Sequence, residues 1–150
     1  MDSKENNGQV TEIRKDDVVR VGCEVFVTRD KKLLLGKRKN CYGAGSWALP
    51  GGHLKYGEKM IEAAKREVKE ELDIDAIDLK LAVISDFIGD ISHHVHVAFL
   101  LENYRGDFKL MEPDRCEEWR FFDLVSLPEN IFNSHQDLVT AFREGKTYLY

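Results

Sequence analysis

The stretch that decides the fold reads GGHLKYGEKMIEAAKREVKEELDI and covers residues 51–74. Within it, apolar residues recur at helical spacing: Ile61, Ala64, Val68 and Leu72. This stripe predicts an amphipathic helix from about residue 59 to about residue 72, with one face packed on the rest of the domain. Glycines and Pro50 are concentrated just before it, so we expect residues 37–52 to form a loop with tight turns.

The predicted helix carries carboxylates on one side. At about 100° per residue, Glu67, Glu70 and Glu71 lie within about one third of its circumference. Like charges at these spacings destabilise a helix by a few tenths of a kcal/mol per pair. The face is therefore either a solvated surface balanced by neighbouring lysines and arginines, or a site for Mg²⁺ or Mn²⁺. Carboxylate oxygens are hard ligands for these ions, which also bind substrate phosphates.

The remaining segments predict a mixed α/β (α+β) domain with a largely antiparallel or mixed sheet between helices. The expected elements are strands at 18–28, from 33, at 79–87, 94–101 and 119–122, and a final helix at 134–142. We expect one domain over residues 18–150, preceded by a flexible polar tail over residues 1–17.

Composition and charge exclude several classes of protein. The chain has 150 residues and a formal net charge of −5. Because nucleic-acid affinity depends on neutralising phosphates, an acidic chain is a poor candidate for binding a nucleic acid polymer. No apolar run approaches the roughly 18 residues of a membrane span, and the N-terminus has no apolar signal core, so we expect no membrane partner and a cytoplasmic location. The three cysteines show no CxxC spacing, which indicates free thiols in a reducing compartment.

The opening stretch resembles the Nudix box, GX5EX7REUXEEXGU, in which U is an aliphatic residue. The matching positions are Gly52, Glu58, Arg66, Glu67, Val68, Glu70, Glu71 and Ile74. The similarity extends to LLLGKRK before the box and EPDRCEEW after it, and covers residues 18 to about 142. Within the superfamily the chain resembles the MutT-like nucleoside triphosphate pyrophosphatases, including those that act on oxidised or otherwise modified nucleotides.

One box position differs from the family pattern, because Asp73 stands where the family has glycine. That position closes the helix and favours a left-handed conformation, which aspartate tolerates better than most residues but at some cost. We expect a slight loss of stability and little effect on metal binding.

The resemblance implies a Nudix fold, an α/β/α sandwich around a mixed sheet, and a reaction that needs Mg²⁺, with Mn²⁺ as a substitute. The candidate metal ligands are Gly52, Glu58, Glu67, Glu70, Glu71 and Glu117. One of the three helix glutamates, or a further acid, would activate the attacking water. Arg66 would join the catalytic set by orienting a glutamate through a bidentate pair. Glu112 and Glu117 flank the region where family members supply an extra ligand or base.

The sequence indicates the substrate contacts less clearly than the metal ligands. Arg38 either contacts phosphates, as the resemblance implies, or ends its strand at the surface. Phe132 and Asn133 lie where related enzymes contact the base, although Phe132 also suits a simple core position. His94 and His96 share one strand face, and with no third ligand nearby in the sequence they are better explained as substrate-facing or surface residues than as a metal site.

The resemblance favours hydrolysis of a nucleoside triphosphate to the monophosphate and pyrophosphate. The substrate is either an ordinary triphosphate or an oxidised or otherwise modified one. One alternative is a nucleoside diphosphate sugar or ADP-ribose hydrolase, and another is a non-catalytic nucleotide-binding module. The intact glutamates at 67, 70 and 71 argue against the last. Related enzymes are often dimers, so a homodimer is the assembly to test.

Overall fold

A computed structural model describes residues 18–150 of the protein. The tail expected at residues 1–17 lies outside the described residues, so the division of the chain into a tail and one domain stays a prediction. Among residues 18–150, no helix has the length and apolar character needed to cross a membrane.

Eight strands and two helices make up the described chain. In order they are β1 (Val19–Phe26), β2 (Thr28–Arg29), β3 (Lys32–Arg38), β4 (Trp47–Ala48), β5 (Gly51–His53), α1 (Met60–Leu72), β6 (Asp75–Ile88), β7 (His93–Arg105), β8 (Cys116–Asp123) and α2 (Gln136–Glu144). A short 3₁₀ turn, Asn133–His135, leads into α2. The expected helices and strands are present, several with shifted ends.

Two elements differ from the sequence-based expectation. The loop expected over residues 37–52 contains β4 and begins β5, which pairs antiparallel with β1 through Gly51 and Gly52. Glycines have no side chains to show alternation, so this pairing leaves no periodic signal. Strand β6 begins at Asp75 rather than near residue 79. It is the edge strand of its sheet, where polar side chains can face solvent.

The strands form two sheets. The first has the order β5-β1-β7-β6, with β1 and β7 parallel and the other pairs antiparallel, so the expected mixed sheet is confirmed. The second contains β2, β3 and β4, with β8 antiparallel to β3. The candidate site described below lies in a cleft lined by residues from both sheets.

The two helices cover opposite faces of the first sheet. Helix α1 packs its buried Val68 and Leu72 against Val25 of β1. The neighbouring Phe26 belongs to a second cluster with Leu138 of α2. Since successive side chains of a strand point to opposite faces, the sheet lies between the helices, as in the expected sandwich. Each large apolar side chain buried this way stabilises the fold by about 1.5–3 kcal/mol.

The ends of α1 are closed by local hydrogen bonds. At its start, the Lys59 N–H donates to Glu62 Oε2 at 2.8 Å. At its end, Asp73 has φ 57° and ψ 33°, the left-handed conformation expected at this position, and its N–H donates to the Lys69 carbonyl. Its carboxylate pairs with Lys69 Nζ at 3.1 Å and Lys109 Nζ at 3.0 Å. Ile61, expected on the apolar stripe, is exposed in the first turn.

Candidate functional site

A cleft of about 580 Å³ opens beside α1 and β5. The α1 carboxylates and the β5 glycines form its acidic end, and β7 histidines and the segment that precedes α2 also line it. The cleft therefore combines acidic groups with aromatic and imidazole rings.

The β5 backbone fixes two carboxylates of α1. The Gly51 N–H donates to Glu71 Oε2 at 3.1 Å. A Cβ at Gly52 would collide with the Glu67 carboxylate, lying 2.6 Å from its Cδ. Glycine at position 52 thus lets a carboxylate and the strand backbone come together, which is the approach that a shared metal ligand set requires.

Arg66 connects three glutamates. Its Nε and Nη2 donate to the two oxygens of Glu58 at 3.1 and 2.7 Å. Its Nη1 donates to Glu67 Oε1 at 2.7 Å and to Glu70 Oε2 at 3.3 Å. The hydrogen bonds from Arg66 lower the pKa of Glu58 to about 2. Arg66 is placed to orient carboxylates rather than to reach along the cleft.

Two carboxylates, Glu67 and Glu71, lack enough neighbouring positive charge to compensate their own. Burial raises the pKa of Glu71 well above its ordinary value, and the charges of Glu67 and Glu112 raise it further. Burial also raises the pKa of Glu67, against the effect of Arg66. Hard oxygen donors gathered with insufficient compensating charge fit a divalent cation.

The two acids after β7 lie in different places. Glu112 lines the cleft, whereas Glu117 has a side chain that is 57% exposed and lies 3.7 Å from Lys37 Nζ. Among the described residues, Glu112 rather than Glu117 joins the acidic end of the cleft.

The expected substrate residues are partly brought together. The guanidinium of Arg38 lies 4.0 Å from the ring centroid of Phe132, and both line the cleft. Gly43, with φ +75°, makes room for this ring, because a Cβ there would lie 2.6 Å from it. Asn133 does not belong to the described lining, while Ser134 and His135 do.

Sequence reasoning missed Glu24 and His135. Glu24 is 3% exposed in β1, and its Oε1 lies 3.0 Å from His96 Nδ1 and 3.5 Å from His135 Nε2. Burial alone would raise the pKa of Glu24, but hydrogen bonds from His135 and His96 outweigh it and lower the pKa to about 2. The available signal was one acidic residue within the valine-rich run VVRVGCEVFVT.

Glu24, His96 and His135 place their ligand atoms within 4.8 Å of one another, the spacing of a metal site. The backbone contradicts that use, because the Leu49 N–H donates to His135 Nδ1 at 3.2 Å. Nδ1 must therefore keep its lone pair, and burial lowers the pKa of His135, which keeps the ring neutral. Its proton then sits on Nε2, facing Glu24, and a protonated nitrogen cannot ligate a metal. The three residues form a hydrogen-bonding cluster, called here the floor cluster.

Comparisons with known proteins identify the family that the chain resembles over most of its length. The family model for the NUDIX domain matches residues 18–142. The ADP-ribose pyrophosphatase of Methanocaldococcus jannaschii is 36% identical over 128 residues, which cover 84% of this chain and 74% of that protein. The oxidized purine nucleoside triphosphate hydrolase of Danio rerio is 35% identical over 109 residues, which cover 69% of this chain and 66% of that protein.

A solved structure shares the fold. The crystal structure of a MutT NUDIX hydrolase from Burkholderia pseudomallei superposes with a TM-score of 0.78 at 34% identity, covering 82% of this chain and 97% of that one. The fold expected from the box is confirmed.

Proposed function

This chain belongs to the Nudix hydrolase family, and we propose that it hydrolyses a nucleoside triphosphate to the monophosphate and pyrophosphate with Mg²⁺ as its cofactor. Pyrophosphohydrolase activity follows from membership of the family. The triphosphate, the choice of Mg²⁺ and the residue roles are the proposal.

The observation that carries the proposal is the pair of carboxylates, Glu67 and Glu71, held against β5 with raised pKa values. Two acids kept so close in a partly buried site destabilise the protein unless a cation joins them. A phosphate chain brings further negative charge to this end of the cleft, which strengthens the requirement for a divalent ion.

Glu67, Glu70 and Glu71 would hold the ion together with the Gly52 carbonyl. When bound, a divalent ion neutralises phosphate charge and makes hydroxide available near neutral pH. Arg66 would keep Glu67 and Glu70 in place.

The acids around this set have supporting roles. Glu58 would support the metal ligands indirectly, because its hydrogen bonds hold Arg66 in place. Glu112 is a further acid in the cleft whose charge raises the pKa of Glu71, and it would serve as an additional ligand or proton acceptor. Glu117, expected as a ligand from sequence, stays a prediction.

Substrate orientation would come from Arg38 and Phe132. The guanidinium is a permanent cation with a fork of donors suited to phosphate oxygens. The ring offers a flat apolar face to a base, and its contact with Arg38 keeps the two groups together. Asn133 stays a predicted base contact.

ADP-ribose is the second candidate substrate, and the archaeal relative favours it. Triphosphate is preferred because the zebrafish relative is an oxidized purine nucleoside triphosphate hydrolase and a MutT NUDIX hydrolase shares the fold over 97% of its chain.

Product identification tests the proposal. The panel consists of dNTPs, oxidised dNTPs, ADP-ribose and nucleotide sugars, with Mg²⁺ or EDTA. We expect monophosphate and pyrophosphate from a triphosphate, no turnover in EDTA, and a loss of more than about 100-fold in Glu70→Gln. Glu102→Gln, at an exposed position on β7, is the matched control and should retain activity. Turnover of ADP-ribose alone would replace the proposal with the second candidate, and nucleotide binding without turnover would indicate a binding module.

A further inference from the structure

We propose that Glu24 is a specificity-determining residue whose buried carboxylate selects a nucleobase edge with neighbouring N–H donors, as guanine presents. The inference rests on the proposed nucleotide hydrolysis and adds the class of base that the cleft accepts. It starts from the floor cluster of Glu24, His96 and His135, which no step of the proposed hydrolysis uses.

The sheet brings the cluster to the floor of the cleft. Strand β1 runs parallel to β7 with Gly22 opposite His96, and Glu24 lies two residues further on the same face. A Cβ at Gly22 would lie 2.5 Å from His96 Nδ1 and 2.6 Å from Glu24 Oε1. The missing side chain at position 22 therefore creates the space in which the carboxylate and the imidazole meet.

Hydrogen-bond roles in the cluster follow from the backbone. His135 accepts from the Leu49 N–H, so its Nε2–H faces Glu24 Oε1. His96 Nδ1 lies 3.0 Å from the same oxygen, in poor hydrogen-bond alignment. Two lone pairs at that separation would repel, so Nδ1 carries a proton that faces Glu24.

Polar atoms at the floor are left without hydrogen-bond partners, and the carboxylate oxygen among them is an acceptor. Among residues 18–150, neither Glu24 Oε2 nor His96 Nε2 has a hydrogen-bond partner. Glu24 and His96 are 3% and 4% exposed, so solvent does not replace the missing donors. Leaving a buried charged acceptor unpaired costs free energy, which a ligand with N–H groups would recover. Both residues line the same cleft as the box glutamates.

The chemistry of the unpartnered carboxylate oxygen selects among bases. Guanine presents a ring N–H next to an exocyclic amino group, which gives two neighbouring donors. Adenine and cytosine present an amino group next to a ring lone pair, and uracil and thymine present an N–H between two carbonyls. A carboxylate attracts the first arrangement and repels neighbouring lone pairs. Sites built around buried hydrogen-bonding groups reject analogues that leave those groups unpaired.

The kinetic test compares kcat/KM for dGTP, dITP, dATP, dCTP and dTTP. Hypoxanthine keeps the ring N–H of guanine and lacks its amino group. We expect dGTP to exceed dITP by about 10-fold and the other three by about 100-fold or more. Glu24→Gln keeps the shape and replaces one acceptor by a donor. It should lower kcat/KM for dGTP by at least about 30-fold, mainly through KM, while dATP and dTTP change by less than about threefold.

A merely structural role for Glu24 would give a different pattern. It would lower kcat/KM for all five nucleotides by one common factor, and that result would overturn the inference. Glu102→Gln, the exposed control on β7, should leave the order of bases unchanged. A preference of the wild-type protein for adenine or a pyrimidine would also overturn it.

Equilibrium binding separates failure of this inference from failure of the proposed function, and it does not need the variant to fold. Calorimetry with dGMP, dIMP and dAMP on the wild-type protein requires no hydrolysis. Binding of dGMP at least about 10-fold tighter than dIMP and dAMP supports the base assignment even if no triphosphate is cleaved. Equal affinities overturn the base assignment while leaving hydrolysis intact.

Discussion

Glu71 is the residue whose charge the metal-free protein accommodates least well. Burial and the neighbouring charges of Glu67 and Glu112 raise its pKa well above the ordinary value. Between the ordinary and the raised value, the folded protein binds more protons than the unfolded chain. The free energy of unfolding therefore falls as pH rises through this range. The same charge is what makes the position suitable for a divalent cation.

We predict that Glu71→Gln stabilises the metal-free protein at pH 8 and that the gain disappears toward pH 4. The amide keeps an oxygen that can accept from the Gly51 N–H but carries no charge. Denaturant unfolding in EDTA across this pH range measures the effect, with Glu102→Gln as the control. Mg²⁺ should stabilise the variant less than the parent. A variant destabilised equally at every pH would contradict the electrostatic account.

Asp73 tests the cost of an aspartate in the left-handed position. Asp73→Gly removes a conformational strain of about 1 kcal/mol, but it also removes exposed ion pairs with Lys69 and Lys109 and gives the unfolded chain more freedom. We predict a change in the free energy of unfolding within about 1 kcal/mol, with unchanged metal affinity. Asp73→Ala loses the ion pairs and keeps the strain, so it should be less stable than either by about 1 kcal/mol. Equilibrium unfolding of the parent and the two variants measures these differences. A glycine variant markedly less stable than the parent would refute the claim that aspartate is strained at this position.

At the scale of elements, β5 and α1 act as one unit through two adjacent glycines with different roles. Gly51 has φ +147°, and a Cβ there would collide with the backbone of Cys23 and Glu24 in β1. Gly52 lies outside the left-handed region, and the atoms nearest to a Cβ there are those of the Glu67 carboxylate at the end of a side chain. The first glycine permits strand pairing and the second permits approach of a carboxylate.

We predict that alanine at these two positions separates stability from activity. Gly51→Ala should lower the free energy of unfolding by more than about 2 kcal/mol, because backbone atoms cannot yield easily. Gly52→Ala should cost less than about 1 kcal/mol, while Mg²⁺ affinity and kcat/KM fall by at least about 10-fold. Thermal unfolding and metal titration of both variants provide the comparison. Equal loss of stability in the two would show that Gly52 also serves only the strand.

The elements also differ in how well the sequence predicts them. Helix α1 was predictable because its apolar stripe and carboxylates repeat within one local segment. Strand β5 was not, since its glycines show no alternation, and Glu24 went unnoticed because its partners, His96 and His135, lie far along the chain. The proposed metal ligands lie close together in the sequence. The floor cluster, in contrast, forms only when folding brings β1, β7 and the segment before α2 together.

At the scale of the whole molecule, negative charge links the binding of a nucleotide to the binding of a cation. The protein has a net charge of −5, and the acidic end adds Glu67, Glu70 and Glu71 where phosphates would bind. A nucleotide should therefore bind weakly without a cation, whereas its base contacts at the floor need none. Since coupling between ligands is reciprocal, a nucleotide must strengthen cation binding by the same factor.

We predict that Mg²⁺ and a non-hydrolysable α,β-methylene triphosphate raise Tm together by more than the sum of their separate shifts. Each ligand stabilises the folded state according to its concentration relative to its dissociation constant, and the constants improve when both are present. Four thermal unfolding curves, with neither, either and both ligands, measure the coupling. A nucleoside, which has the base and no phosphates, should show purely additive shifts with Mg²⁺. Additive shifts for the triphosphate as well would mean that the cation and the phosphates bind at independent places, which would remove the α1 carboxylates from the proposed reaction.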